Sequence, residues 1–164
     1  MTRNLYLLRH AKSSWDYPEL NDFERPLNKR GRHDIPVMAV FIKKKGLIPD
    51  RILSSPATRA AMTARTVAEI TGISEEKLVF NQAIYEASVS DLVKIVGSTG
   101  NQVRKLMLVG HNPGLTGFAN FLTGQMIDSI PTSGLCGIEL NIHSWNEIGE
   151  NCGKLLFLET PKHR

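Results

Sequence analysis

Arg9 and His10 stand at the exit of the apolar run Leu5-Tyr6-Leu7-Leu8, and Gly110-His111-Asn112 stands at the exit of a second run, Leu106-Met107-Leu108-Val109. A third segment, Ser54-Ser55-Pro56-Ala57-Thr58-Arg59, puts another arginine just beyond a short apolar stretch. Two histidines and two arginines form a set suited to phosphoryl transfer. A phosphoryl group carries its negative charge on peripheral oxygens, so positioning and fixed positive charge promote its transfer. Arginine holds two such oxygens at once with its planar fork. A neutral imidazole can attack phosphorus and give a phosphohistidine that water later hydrolyses. His10 is the candidate nucleophile, Arg9 and Arg59 the clamp, and His111 the ligand of the non-bridging oxygens, as a cation. Glu86, in Ala83-Ile84-Tyr85-Glu86-Ala87-Ser88, is the candidate general acid for a leaving group and later the base for water.

These residues need elements that bring them together. The apolar run at 5–8 reads as a buried strand. Asn28 is a fitting N-cap for a helix over 29–45, with Ile35, Met38, Ala39 and Ile42 facing inward and Gly46 ending it. Pro36 inside that span predicts a kink or a late start. A short strand is expected at 51–54, and Ser55-Pro56 reads as N-cap and first-turn proline of a helix running to Gly72. Residues 78–80 form a third candidate strand, and Ser88 with Asp91 resembles a capping box opening a helix to Gly97. After the strand at 106–109, Asn112-Pro113 predicts a helix that closes at Gly124. Ile138, Leu140 and Ile142 alternate with polar residues as a half-exposed strand does, and residues 155–158 read as a last, buried strand. This order predicts an α/β fold, a mostly parallel central sheet flanked by helices. Ligands of such sheets collect beyond the strand ends, where His10, Ser55 and His111 fall. The stretch from Ser13 to Leu27 is irregular and long for a compact domain, as functional loops are.

Composition narrows the classes. With 164 residues, one domain over 1–164 is expected. No apolar run approaches the roughly 20 residues that span a bilayer, and no secretory h-region precedes the first strand, so a cytoplasmic protein with no membrane partner is expected. The net charge of +4 comes without a basic stripe interleaved with aromatics, which argues against nucleic acid. Cys136 and Cys152 lack metal-ligand spacing and read as ordinary thiols. His33, His143 and His163 read as solvent-facing or locally satisfied. Metal catalysis is the main rival for paired histidines, but HExxH and Cys-His clusters are absent and the arginines would repel a divalent ion. The Gly-x-Ser-x-Gly of a serine hydrolase is absent too, and Ser54 and Ser55 read as helix-capping residues.

The chain resembles the histidine phosphatase superfamily, with its phosphoglycerate mutase-like fold, a three-layer sandwich. Leu7-Leu8-Arg9-His10-Ala11 is similar to that family's Arg-His-Gly signature, the segment Ser54 to Ala64 to its second-arginine motif, and Gly110-His111 to its second-histidine motif. Ala11 replaces the signature glycine, and Met62 stands where many members carry glutamine. Within the superfamily, Arg9-His10-Ala11-Lys12-Ser13, Arg25-Pro26-Leu27, the segment Ile84 to Ser88 and Gly110 to Leu115 resemble the short SixA-type phosphohistidine phosphatases. The resemblance implies His10 as phospho-acceptor, with Arg9, Arg59 and His111 forming the phosphate pocket. It implies neither a metal nor an organic cofactor, and it makes Lys12, Ser13, Arg25 and Asn112 candidates for the pocket rim.

Mutases of the superfamily are longer and use insertions to cover the site. Brief segments between the motifs leave a site open to water, which favours hydrolysis, and open to a side chain on another protein's surface. The expected activity is therefore hydrolysis of phosphohistidine in proteins through phospho-His10. The alternatives are a phosphatase of small phosphate monoesters, which would depend more on Glu86, and a non-catalytic phosphate-binding module, which would not need a nucleophile.

Overall fold

The chain is described by a computed structural model covering residues 2–163; the side chain of His163 lies outside the described residues. The strands are β1 (Arg3–Arg9), β2 (Arg51–Ser54), β3 (Leu78–Phe80), β4 (Lys105–Gly110), β5 (Leu135–Leu140) and β6 (Gly153–Glu159). The helices are α1 (Lys29–Lys44), α2 (Thr58–Thr71), α3 (Val89–Gly97) and α4 (Gly114–Thr123). One sheet holds the strands in the order β3-β2-β4-β1-β5-β6. The pairs β2–β3, β2–β4 and β1–β4 are parallel, and β5 runs antiparallel to both of its neighbours, so β5 alone is reversed.

The apolar runs are continuous because the central strands are covered on both faces. Leu5 and Leu7 of β1, with Leu106 and Leu108 of β4, point into a core that includes Leu92 of α3 and Phe118 of α4. Their alternates Tyr6, Leu8, Met107 and Val109 point the other way, against Met38 of α1 and Ala64 of α2. Helices thus cover both faces, and the expected three-layer α/β sandwich is what forms.

The register of this sheet positions the chemistry. Arg9 pairs with Gly110 across β1 and β4, and Ser54 pairs with Val109 across β2 and β4. His10, Ser55 and His111, the next residue on each strand, therefore emerge side by side. The backbone N–H of His10 donates to Gly110 O (3.1 Å), and that of Ser55 donates to Val109 O (3.0 Å). Gly31 lets α1 approach the segment after His10, since a Cβ there would strike the backbone carbonyl of Lys12. Gly114 does the same for Ala87, next to Glu86.

Several local expectations are corrected. Helix α1 begins at Lys29 and continues past Pro36, so the late start does not occur; Ile35, Met38, Ala39 and Ile42 on the inner face outweigh the bond lost there. Helix α2 begins at Thr58 with Ala57 as N-cap and no side-chain capping bond, so Ser55 does not cap it. Helix α4 begins at Gly114, and Asn112 caps from outside, its Oδ1 accepting from the Thr116 N–H (3.1 Å) and hydroxyl (2.8 Å). The burial of the last two strands is exchanged. β5 lies between β1 and β6 and is buried almost throughout, whereas β6 is the sheet edge and leaves Leu156 exposed. Ser13 to Leu27 is closed at its base by a bridge between those two residues and contains a 3-10 turn, Asp22–Glu24.

Candidate active site

The two imidazoles face each other at the ends of β1 and β4, with ring centroids 5.2 Å apart. His10 is 7% exposed. Its Nδ1 lies 2.7 Å from the carbonyl oxygen of Ala11, which can only accept, so Nδ1 carries the proton and Nε2 keeps its lone pair. The turn that supplies this carbonyl is fixed in turn: Ala11 N–H donates to Thr63 Oγ1 (2.9 Å), whose hydroxyl donates to Arg59 O (2.8 Å). The turn after His10 and the start of α2 are thus tied together.

His111 Nε2 is 2.8 Å from Ser55 Oγ. That oxygen also accepts the Ala57 N–H (3.2 Å); when its hydroxyl donates to Nε2, the proton of neutral His111 sits on Nδ1. Nδ1 is buried and has no partner among the described residues. The same holds for Nε of Arg9 and Nε of Arg59. Buried donors in native proteins are rarely left unpaired; ordered water, an ion or a ligand completes them. Arg9 is anchored through Nη1 to Ile130 O (3.0 Å). Arg59 is anchored through Nη1 to Asp22 O (2.7 Å) and through Nη2 to Asp22 Oδ2 (3.0 Å). Each guanidinium is held from behind with Nε left over. Five buried side-chain polar atoms have no partner among the described residues; three belong to Arg9, Arg59 and His111, the residues proposed for the phosphate pocket, and the other two are Thr99 Oγ1 and Ser133 Oγ.

Burial and positive neighbours keep both histidines neutral. His10 is pushed down to about 3, chiefly by burial and against the pull of the Ala11 hydrogen bond, with smaller contributions from His111, Arg59 and Arg9. His111 is pushed down to about 4 by burial and then by Arg59, partly offset by Asp22. The cationic His111 expected from sequence is not the form of the free protein; an anion in the pocket would be needed to draw the second proton. A neutral His10 is the nucleophilic form. Both groups are neutral when folded and titrate near 6.5 when unfolded. The stability they contribute is therefore complete above about pH 6.5 and is lost as pH falls toward 4 and 3. Between pH 7 and 4.5 the wild type is expected to lose on the order of 4 kcal/mol more than the double variant His10→Asn, His111→Asn, measured by urea denaturation.

Glu86 is exposed at the edge of the site and has φ 58°, a left-handed conformation uncommon for this residue type. With Tyr85, His111, Arg59, Asn112 and Asp22 it lines a cleft of about 560 Å³. Asn112 is fully engaged, donating to Ser129 Oγ (3.0 Å) and Ile130 O (2.9 Å). Three expected rim positions behave otherwise. Lys12 is exposed and lines another cavity with Arg30 and Lys162. Ser13 accepts from Arg25 Nη1 (2.8 Å). Arg25 is buried, paired with Asp22 (3.1 Å) and stacked over the Trp15 ring at 3.6 Å, so its charge is committed to the loop. Cys136 is buried and unpaired, with its thiol pushed up to about 12 by burial.

Four members of the site were not read from the sequence. Asp22 ties Arg59, Arg25 and Tyr85 together, and Tyr85 packs edge-on against His111 with centroids 5.4 Å apart. Ser55 has the local pattern of an N-cap but partners His111 instead. Ser133, fully buried with φ 61°, donates its N–H to the carbonyls of Arg9 and His10, and its hydroxyl has no partner among the described residues. All four act through contacts far away in sequence, which no local pattern encodes.

Such a site on such a sheet defines a class. Residues 5–96 match the histidine phosphatase superfamily (branch 1), and the chain belongs to that superfamily. It is 33% identical over 155 residues to an uncharacterised chloroplastic protein of Arabidopsis thaliana, covering 90% of this chain and 71% of that one. Among solved structures, it is similar to one from Agrobacterium tumefaciens provisionally named phosphohistidine phosphatase SixA (27% identity, TM-score 0.83, 97% of this chain and 98% of that one). The fold is also that of the protein histidine phosphatase SixA complexed with tungstate (20% identity, TM-score 0.84, 98% of each chain). The SixA-type likeness extends over nearly the whole chain.

Proposed function

We propose that this protein hydrolyses phosphohistidine in proteins through a covalent phospho-His10 intermediate. The observation that carries the reading is the set of unpaired buried donors, Arg9 Nε, Arg59 Nε and His111 Nδ1, beside a His10 whose Nε2 lone pair is free. Phosphoryl oxygens would complete all three. The His10 Nε2 lone pair attacks phosphorus as the bond from phosphorus to the substrate nitrogen breaks. The electron pair of that bond leaves with an imidazole already protonated on its other nitrogen. Water then attacks phosphorus, the P–Nε2 bond breaks, and inorganic phosphate leaves with His10 restored. The arginines carry the charge throughout, so no metal or organic cofactor is assigned a role. Among the described residues no three His, Cys, Asp or Glu side chains cluster as metal ligands do. The proposal takes residues 1–164 as one domain. It places the protein in the cytoplasm, where unpaired Cys136 and Cys152 suit a reducing milieu.

A second reading, hydrolysis of small phosphate monoesters, draws on Glu86, whose left-handed backbone holds a carboxyl group at the cleft. An alkoxide needs a proton to leave and an imidazole already protonated does not. Glu86→Gln is expected to lower kcat/KM on alkyl phosphates about 10²-fold or more and on a phosphoramidate less than about tenfold. Equal losses on both would remove the support for a phosphohistidine substrate.

A further inference from the structure

Asp22 is held from three directions. Its Oδ2 accepts from Arg59 Nη2 (3.0 Å) and the Tyr85 hydroxyl (2.6 Å), and its Oδ1 accepts from Arg25 Nη2 (3.1 Å) and Nε (3.3 Å). Its side chain is nevertheless half exposed, and it lines the same cleft as Glu86 and His111. Burial works against its charge, but the hydrogen bonds from Tyr85 and Arg59 prevail and hold the carboxyl at about 2. A permanent carboxylate thus stands at the mouth of a site built for an anion.

The charge balance there changes once a phosphoryl group is bound. A dianion takes up the charge of Arg9 and Arg59, and Asp22 and Glu86 then outweigh Arg25. Lys12, Arg30 and Lys162 line another cavity and not this cleft. We propose that Asp22 is a specificity-determining residue, which selects phosphoryl donors whose leaving group is neutral or cationic, a protonated imidazole foremost, over those bearing a second anionic group. The inference rests on the reading of this cleft as the leaving-group side of a phosphatase site. Its physical basis is repulsion between fixed like charges in a partly dehydrated cleft.

Two phosphonates matched in shape test it without turnover: 4-(carboxymethyl)benzylphosphonate and the corresponding carboxamide, titrated calorimetrically. The wild type is expected to bind the carboxamide about tenfold more tightly, the size of one charge contact at a half-exposed site. In Asp22→Asn the two affinities should fall within about twofold of each other, and Asp22→Glu should restore the preference. A preference unchanged in Asp22→Asn, or absent from the wild type, would overturn the inference. Equal weakening of both ligands would also overturn it and leave Asp22 only a positioning residue for Arg59. Should Asp22→Asn not fold, the wild-type preference itself must shrink between about 20 and 300 mM NaCl, and a salt-independent preference contradicts the proposal. Phosphoramidate turnover on the same wild-type preparation separates the two readings. Turnover without the preference defeats the selectivity alone, and the preference without turnover defeats the phosphatase reading alone.

Discussion

His10→Ala is expected to lower phosphoramidate hydrolysis at least about 10⁴-fold, the scale on which removal of a covalent nucleophile acts. Nothing else nearby can replace its Nε2. His111 has its ring centroid 5.2 Å away, but its Nε2 is engaged by Ser55. The fold should tolerate the change, since it removes one side-chain hydrogen bond, that to Ala11 O, a loss of about 1 kcal/mol. Phosphate binding should stay within about tenfold of wild type, because Arg9, Arg59 and His111 remain as donors. Turnover by stopped assay, phosphate affinity by calorimetry and melting temperature read the three parts separately. A variant retaining a tenth of wild-type turnover would remove His10 from the reaction.

Arg59→Ala is expected to cost about 10³-fold in kcat/KM, and Arg59→Lys should recover little of it. The reason is geometric. Both Nη atoms of Arg59 are fixed by Asp22, which aims the remaining Nε edge, and a lysine ammonium has no second edge to aim. The substitution also leaves Asp22 with Arg25 as its ion-pair partner beside the Tyr85 hydroxyl, so the repulsion felt by an incoming dianion rises as the attraction falls. Steady-state kinetics of the two variants on one phosphoramidate measures this. Recovery of activity in Arg59→Lys to within about threefold of wild type would show that charge alone suffices.

The juxtaposition of Arg9, His10 and His111, the proposed catalytic set, was legible because the topology follows from the apolar runs. Arg9-His10 and Gly110-His111 follow uninterrupted apolar runs, and such runs are what central strands covered on both faces require. The parallel pairing of β1 with β4 then makes their exits neighbours. Burial of β5 and β6 was read the wrong way because alternation in β5 rests on Gly137 and Glu139, and the sheet order, not the strand's own pattern, decides which strand is the edge. Ser55 looks locally like an N-cap; its role as partner to His111 depends on a residue 56 positions on. Asp22 is the clearest case. Its spacing to Arg25 hints at a local pair, but its contacts with Arg59 and Tyr85 exist only because residues 13–27 fold back over the strand ends. Arg25, expected to extend the anion pocket, is spent on that carboxylate and on Trp15.

The central claim is the phospho-His10 intermediate, and intact-mass trapping during turnover tests it most directly. The protein is incubated with a phosphoramidate in the presence of EDTA and quenched at alkaline pH, which preserves phosphohistidine. A transient adduct of one phosphoryl group on the wild type, absent from His10→Ala and accompanied by released phosphate, is the result expected. Sustained turnover with no adduct, or an adduct that persists in His10→Ala, would contradict the account.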